Sequence, residues 1–217
     1  MLFRSKLLLI DAKDTFSKQP LFLEGWMLLY GDLVEWLPFA KVGNLVRVDA
    51  AAKTVYTDFA EQKADVVNVI APQRAAAIAV DAGLTSGGDW CTVNQSTFES
   101  TVTPGIHIIG DAAIAGSMPK SGFSAGSHGK ALAFIIAALQ SGEPPPQPSF
   151  INTCYSLVAP DYGISVADVF RVGPEGTIVP VAGAGGTSPV GASAAFRKQE
   201  ADYARGWYAS ITAEMFG

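Results

Sequence analysis

The chain has 217 residues, with 15 lysines and arginines against 20 aspartates and glutamates, and a formal net charge of −5 at pH 7. That length is ample for a hydrophobic core in one large domain or two small ones; the acidic balance excludes a basic nucleic-acid footprint, and 49 % apolar against 16 % charged residues excludes disorder. The charged fraction is well below the roughly 25 % of an average domain, which points to large interfaces or to burial around a bulky apolar ligand.

In chain order, Lys6 to Asp11 is a short apolar run closing on a carboxylate, the pattern of a parallel strand buried on both faces. A basic residue precedes the run, but it ends at Asp11 without a small-residue cleavage site, so it reads as a strand and not as a signal peptide. Leu21 to Tyr30 reads as a helix with Phe22, Trp26 and Leu29 on one face. Leu33–Leu37, Leu45–Asp49 and Lys53–Thr57 read as strands, the last two joined as a hairpin by Ala50–Ala52. Asp65–Ile70 is predicted as a buried strand ending at Pro72, and Gln73–Ala82 as a helix stopped by Gly83. Trp90–Val93 and Gly105–Ile109 are predicted strands, and Gly110–Ala113 a turn at a strand end. A helix over Gly122–Ser141 then meets the proline-rich linker Ser141–Pro148, where four prolines forbid helix and central strand alike. Its longest apolar run, Ala131–Leu139, is less than half of the roughly 20 residues that span a bilayer. Strands near Thr153–Ala159 and Gly163–Arg171 and the Gly/Pro-rich loop Val181–Gly191 precede a last helix, Ala192–Met215. On that helix Phe196, Tyr203, Trp207 and Ile211 share a face. The expected fold class is α/β.

Several motifs fail on their mechanics. Gly122-Phe-Ser-Ala-Gly126 has the spacing of a nucleophile elbow, but Met-Pro-Lys-Ser precedes it in place of a buried strand, and no histidine follows Asp161, Asp168 or Asp202. Gly129-Lys130 lacks the first glycine and the Ser/Thr of a phosphate loop. Gly183-Ala-Gly-Gly186 is followed by Ser188 and Pro189 where a dinucleotide turn needs glycine and helix. His107 and His128 lack metal-ligand partners at useful spacing and read as core histidines. Cys91 and Cys154 cannot build a disulfide scaffold; they form one bridge or remain separate thiols, and Cys91 reads as core.

One motif has a physical logic. In Thr103-Pro-Gly-Ile-His-Ile-Ile-Gly-Asp-Ala112 a strand delivers Gly110, where a ligand can approach the backbone. Asp111 then lies at the carboxyl end of the strand, where its carboxylate can accept bonds from ribityl or ribose hydroxyls. Met118-Pro-Lys-Ser-Gly122 leads into a helix whose first N–H groups favour negative charge. A tight turn with an Asp cap explains the same residues without a ligand.

Phe16-Ser-Lys-Gln19, Pro72-Gln-Arg74, Gly105–Ala112, Met118–Gly122, Asn152-Thr-Cys-Tyr-Ser156 and the closing Trp207-Tyr208 through Phe216-Gly217 resemble the flavoprotein subunit of flavocytochrome c sulfide dehydrogenase. The resemblance runs through essentially the whole chain. It implies a periplasmic FAD enzyme of the two-dinucleotide-binding-domain class that passes electrons from sulfide to a c-type cytochrome subunit. Gly110 and Asp111 then fall on the FAD-contacting turn, Lys120 and Ser121 beside the flavin ring, and Cys154 on one half of a redox disulfide. By the same resemblance residues 1–70 are part of the NAD-like middle domain, residues 71–148 the second part of the FAD domain, and residues 149–217 a C-terminal α+β interface domain. The sequence has no G-x-G-x-x-G fingerprint for the ADP half of FAD. The expectation is therefore a truncated arrangement, a C-terminal portion that needs a second chain or N-terminal half. Nicotinamide is not implied. Two other readings stay open: a flavin-free interaction module using the same fold, and a quinone- or pyridine-nucleotide-linked disulfide oxidoreductase.

Overall fold

The computed structural model describes residues 5–217. The basic residue ahead of the first apolar run, Arg4, and the start of the expected middle domain lie outside the described residues. The protein is mixed α/β. β1 (Leu7–Ile10) and β2 (Val34–Leu37) pair in parallel, Leu7 opposite Val34 through Ile10 opposite Leu37, with α1 (Gln19–Tyr30) between them. α1 starts after Lys18, held in the left-handed region at φ 61°, and takes Pro20 in its first turn, where a missing N–H costs nothing. The expected parallel strand is present, but burial on both faces is not: Leu7 is 54 % exposed. A two-stranded sheet with one helix beside it leaves a face uncovered.

After α2 (Phe39–Val42), the chain forms an antiparallel sheet of β3 (Leu45–Asp49), β4 (Thr54–Thr57) and β5 (Glu61–Lys63). The hairpin across Ala50–Ala52 is as expected, with Asp49 opposite Thr54. The predicted strand Asp65–Ile70 does not form, and Val66 and Ile70 are 83 % and 81 % exposed. The sheet ends at β5, and the apolar run that follows pairs with no strand among the described residues.

α3 is shorter than predicted, Ala77–Asp81. The residues ahead of it are drawn elsewhere, the Ala75 N–H donating to the Asp89 carbonyl at 2.8 Å. Trp90–Val93 contributes two isolated bridges, Cys91 to Ala113 and Val93 to Ser100, and Gly105–Ile109 one, His107 to Glu99, and not continuous strands. The turn at Thr103-Pro-Gly105 and the Ser/Thr-rich stretch between the two segments break the ladder before it can extend.

α4 (Gly122–Gln140) leads through the irregular proline segment into the hairpin of β6 (Ser149–Ala159) and β7 (Tyr162–Val172). Two short strands, β8 (Ile178–Pro180) and β9 (Gly186–Thr187), also pair with β7. α4 packs on β6, and α5 (Ala194–Phe216) on β7. Both long helices begin with a serine cap: Ser121 Oγ accepts from the Ser124 N–H at 3.0 Å, and Ser193 Oγ from the Phe196 N–H at 3.2 Å.

The main core joins Phe98, Ala113, Met118 and Ile135 to Phe150, Phe170 and Ile178. Each fully buried large side chain there contributes roughly 1.5–3 kcal/mol. The buried face of α5 differs from the expected aromatic one. Arg197, Glu200, Ala201 and Ala204 face the sheet. The small alanines admit close approach at Gly163, where a Cβ would lie 2.4 Å from the Ala201 nitrogen. Trp207 turns to the flank of α4, stacking on Phe123 at 5.4 Å between ring centroids, while Phe196 and Tyr203 are exposed.

An ionic staple ties α1 to α5. Arg197, 1 % exposed, donates to Glu24 Oε1 at 3.1 Å, Glu200 Oε2 at 3.4 Å and the Pro189 carbonyl at 2.8 Å. Glu24 also accepts from the Tyr162 hydroxyl and the Gly191 N–H. These bonds hold its carboxyl below the usual carboxylate range, the Gly191 N–H contributing most.

Candidate functional site

The strand-end turn is a 3-10 turn over Gly110–Ala112. Gly110 has φ +66°, and a Cβ there would lie 3.2 Å from the Ala125 Cβ on α4, so the turn and the helix approach closely only because this residue is glycine. Its N–H donates to Nδ1 of His128 at 3.2 Å. Nδ1 therefore acts as acceptor, and the ring proton is assigned to Nε2, which faces the Met118 sulfur at 3.2 Å. His128 is 1 % exposed and lies against Phe98 and Phe150. Burial pulls its pKa down to about 4, so the ring is neutral at pH 7 and stays an acceptor for Gly110.

Asp111 is exposed beside this turn. The Lys120 ammonium donates to the backbone carbonyls of Asp111 and Ala113, the latter at 2.9 Å, and lies 3.9 Å from the centroid of the Trp90 ring. Its pKa is lowered by burial, with the Asp111 charge opposing that shift. Lys120 is thus a clip that fixes the turn by its main chain and leaves the Asp111 carboxylate turned to solvent. Gly110, Asp111, Met118, Lys120, Trp90 and His128 all line one cavity of about 280 Å³.

Ser121 caps α4 at the edge of this cavity. While its oxygen accepts the cap bond, its hydroxyl donates to Oδ1 of Asn152 on β6 at 2.6 Å, and the Ser124 hydroxyl donates to the same atom at 3.1 Å. Ser124 is thereby a buried structural hydroxyl inside a helix, which disposes of the nucleophile-elbow spacing. Asn152 Nδ2 in turn lies 3.3 Å from Cys154 Sγ. Lys18, ahead of α1, donates to the Cys154 carbonyl at 2.9 Å and to Ser156 Oγ at 3.0 Å. Burial lowers the Lys18 pKa, and the charge of Cys154 opposes that.

Both cysteines are free. Cys91 is fully buried with Ala75, Ala79 and Leu84, and burial pushes its thiol up, as fits a core residue. Cys154 is half-buried. His107 is partly buried and hydrogen-bonded through Nδ1 to the Thr97 carbonyl at 2.8 Å. Among the described residues no group of His, Cys, Asp and Glu could hold a metal ion, and no helix is long and apolar enough to cross a membrane.

The structure gathers Gly110, Asp111 and Lys120 around one cavity and connects it, through Ser121 and Asn152, to Cys154. Trp90, His128, Asn152 and Lys18 are the members that residue-by-residue reading passes over. Asn152 and Lys18 lie inside two of the family-like segments, the one signal that could have found them. His128 carries no local signal, since nothing in sequence places it under Gly110.

A glycine at positive φ, an exposed carboxylate beside it and the first turn of α4 thus meet at one cavity. Residues 2–71 match the family model described as "Sulfide dehydrogenase [flavocytochrome c] flavoprotein chain, central", and residues 146–216 match "Flavocytochrome c sulphide dehydrogenase, flavin-binding". The protein is thus of the flavoprotein class. Within that class the chain belongs to the family of the flavoprotein subunit of flavocytochrome c sulfide dehydrogenase.

Proposed function

We propose that this chain supplies the flavin-side portion of a sulfide dehydrogenase, binding FAD at the Gly110–Asp111 turn and handling sulfur at Cys154. The observation that carries the reading is the unbroken hydrogen-bonded path from the cavity to the thiol: Ser121 at the helix start, the Asn152 amide, then Cys154. The residues fit the cofactor. Asp111 is free to accept from ribityl or ribose hydroxyls. The N–H groups of Gly122 and Phe123, in the first turn of α4, have no intrahelical acceptor and favour negative charge.

When bound, the flavin supplies a two-electron acceptor that can release electrons singly to a haem. The chain's own residues have narrower tasks. Neutral His128 holds the Gly110 N–H, Lys120 pins the two carbonyls of the turn, and Cys154 presents its sulfur as one half of the disulfide that sulfide attacks. The glycine fingerprint for the ADP half is not among these 217 residues, so that half of FAD requires a polypeptide segment outside them. In the same reading residues 1–70 are middle-domain, 71–148 FAD-domain and 149–217 interface-domain sequence. The electron acceptor is a c-type cytochrome subunit, and the compartment is the periplasm.

Assembly draws support from the exposed apolar side chains Val66, Ile70 and Ile78, which also suit the flavin-free interaction module as a second reading. The two separate in one experiment. The chain is co-purified with a polypeptide carrying the fingerprint, loaded with FAD and mixed with sulfide. Sulfide is expected to bleach the flavin absorption in the unaltered complex, and Cys154→Ser to abolish bleaching while flavin is retained. Bleaching at the unaltered rate in Cys154→Ser would remove the cysteine from the reaction.

A further inference from the structure

We infer that Asn152 is a positioning residue that holds the Cys154 sulfur, its side-chain amide donating to it and favouring the thiolate that sulfide attack on the disulfide releases. This rests on the reading of Cys154 as the sulfur-handling residue. Asn152 is 1 % exposed, so the direction of its amide is set by its neighbours and not by water. Ser121 Oγ already accepts the cap N–H of Ser124, which leaves its own proton to be donated to the Asn152 atom it faces, 2.6 Å away. That atom is assigned as the amide oxygen. With the Ser124 hydroxyl also at 3.1 Å, the oxygen has two donors, and the NH₂ group is turned to Cys154. The sulfur agrees, lying 3.3 Å from Nδ2 against 3.8 Å from Oδ1.

The bond works in one direction chemically. A nitrogen donor stabilises a sulfur that carries negative charge more than one that carries a proton, and the thiolate is the reactive form. The surrounding charge is of the same sense. Lys18, anchored on the Cys154 carbonyl and Ser156 Oγ, stands on this face of β6, and Glu200 of α5 acts on Lys18 from farther off. Because Ser121 both caps α4 and fixes the amide, the start of the helix at the flavin-side cavity and the state of the thiol are coupled through one side chain.

The test is the pH profile of Cys154 alkylation by iodoacetamide in the full, reduced chain, read by peptide mass so that buried Cys91 is scored separately. Asn152→Leu keeps the shape of the side chain and removes the donor. Its alkylation rate at pH 7 is expected to fall about tenfold, with the midpoint of the profile moving up by about one pH unit, as for loss of one hydrogen bond to a charged group. The limiting rate at high pH is expected to stay within about twofold, because a hydrogen-bond donor alters the state of the sulfur and not its access. A second variant, Ser121→Ala with Ser124→Ala, leaves Asn152 in place but frees its amide to turn, and is expected to move the midpoint the same way by less. If Cys154 is reactive and neither variant moves the midpoint, the inference fails while the reading of Cys154 stands. If Cys154 of the unaltered chain reacts more slowly at every pH than it does in the unfolded chain, both fall together.

Discussion

The β6–β7 hairpin and the run after β5 are both rich in β-branched and apolar residues, yet one is the best-covered part of the molecule and the other among the most exposed. α4 packs on β6 and α5 on β7, Phe150 and Phe170 are buried in the core with Leu132 and Ile135 of α4, and Ile164 is buried against Leu21 of α1. The run from Asp65 to Ile70 has neither a pairing strand nor a helix over it, and Val66 and Ile70 face solvent. An apolar segment is buried only where the chain supplies something to cover it. The C-terminal layers therefore carry stability, while the exposed apolar stretch contributes little to it.

The largest expected effect lies in the staple that ties α1 to α5. Arg197→Ala leaves Glu24 and Glu200 without their shared cation in a buried setting, a loss of about 3–5 kcal/mol by urea or guanidinium unfolding. A loss under about 1 kcal/mol would mean that α1 and the C-terminal layers are held together by packing alone.

Next in size is an acid sensitivity centred on His128. The unfolded chain takes up this proton near pH 6.5, while the folded protein resists it until about pH 4. Between those values the unfolded state binds more protons, so stability falls as the pH drops through the window and levels off below it. The expected total is about 3 kcal/mol. In His128→Leu the fall over this window should be absent, although stability at pH 7 is lower because the Gly110 N–H has lost its acceptor. Equal slopes in both proteins would assign the acid sensitivity to other groups.

The smallest effect on stability is expected in the exposed run. Val66→Ser with Ile70→Ser should change unfolding free energy by no more than about 0.5 kcal/mol per site, as for surface positions, while weakening association with the fingerprint-bearing polypeptide. Destabilisation of the isolated chain by several kcal/mol would show that the run is covered after all.

The same contrast explains what could be read from sequence. The hairpin over Ala50–Ala52, helices α1, α4 and α5, and β6 and β7 were legible because period and punctuation agree with what covers them. Asp65–Ile70 was not, since an apolar run has the same pattern whether it meets its own sheet or another chain. On α5 the aromatic stripe suggested one face, but alanines at 201 and 204 let the backbone approach Gly163, so small residues and not large ones mark the buried side. Within the site, Gly110 and Asp111 follow from the turn chemistry of the strand end. Lys120, Ser121 and Cys154 came through the family-like segments. The links between them did not, because Asn152 and His128 act across distances of 28 to 31 and 18 residues in sequence.

The most direct measurement of the central claim is the visible spectrum and flavin content of the reconstituted complex, with and without Asp111→Ala. Asp111 is exposed and its side chain supports nothing in the fold, so the variant should fold normally. It is expected to retain at least tenfold less FAD, on the order of one lost hydrogen bond to a charged group. Equal flavin content in the two complexes, or a complex that never takes up flavin, would contradict the assignment of this turn to the cofactor.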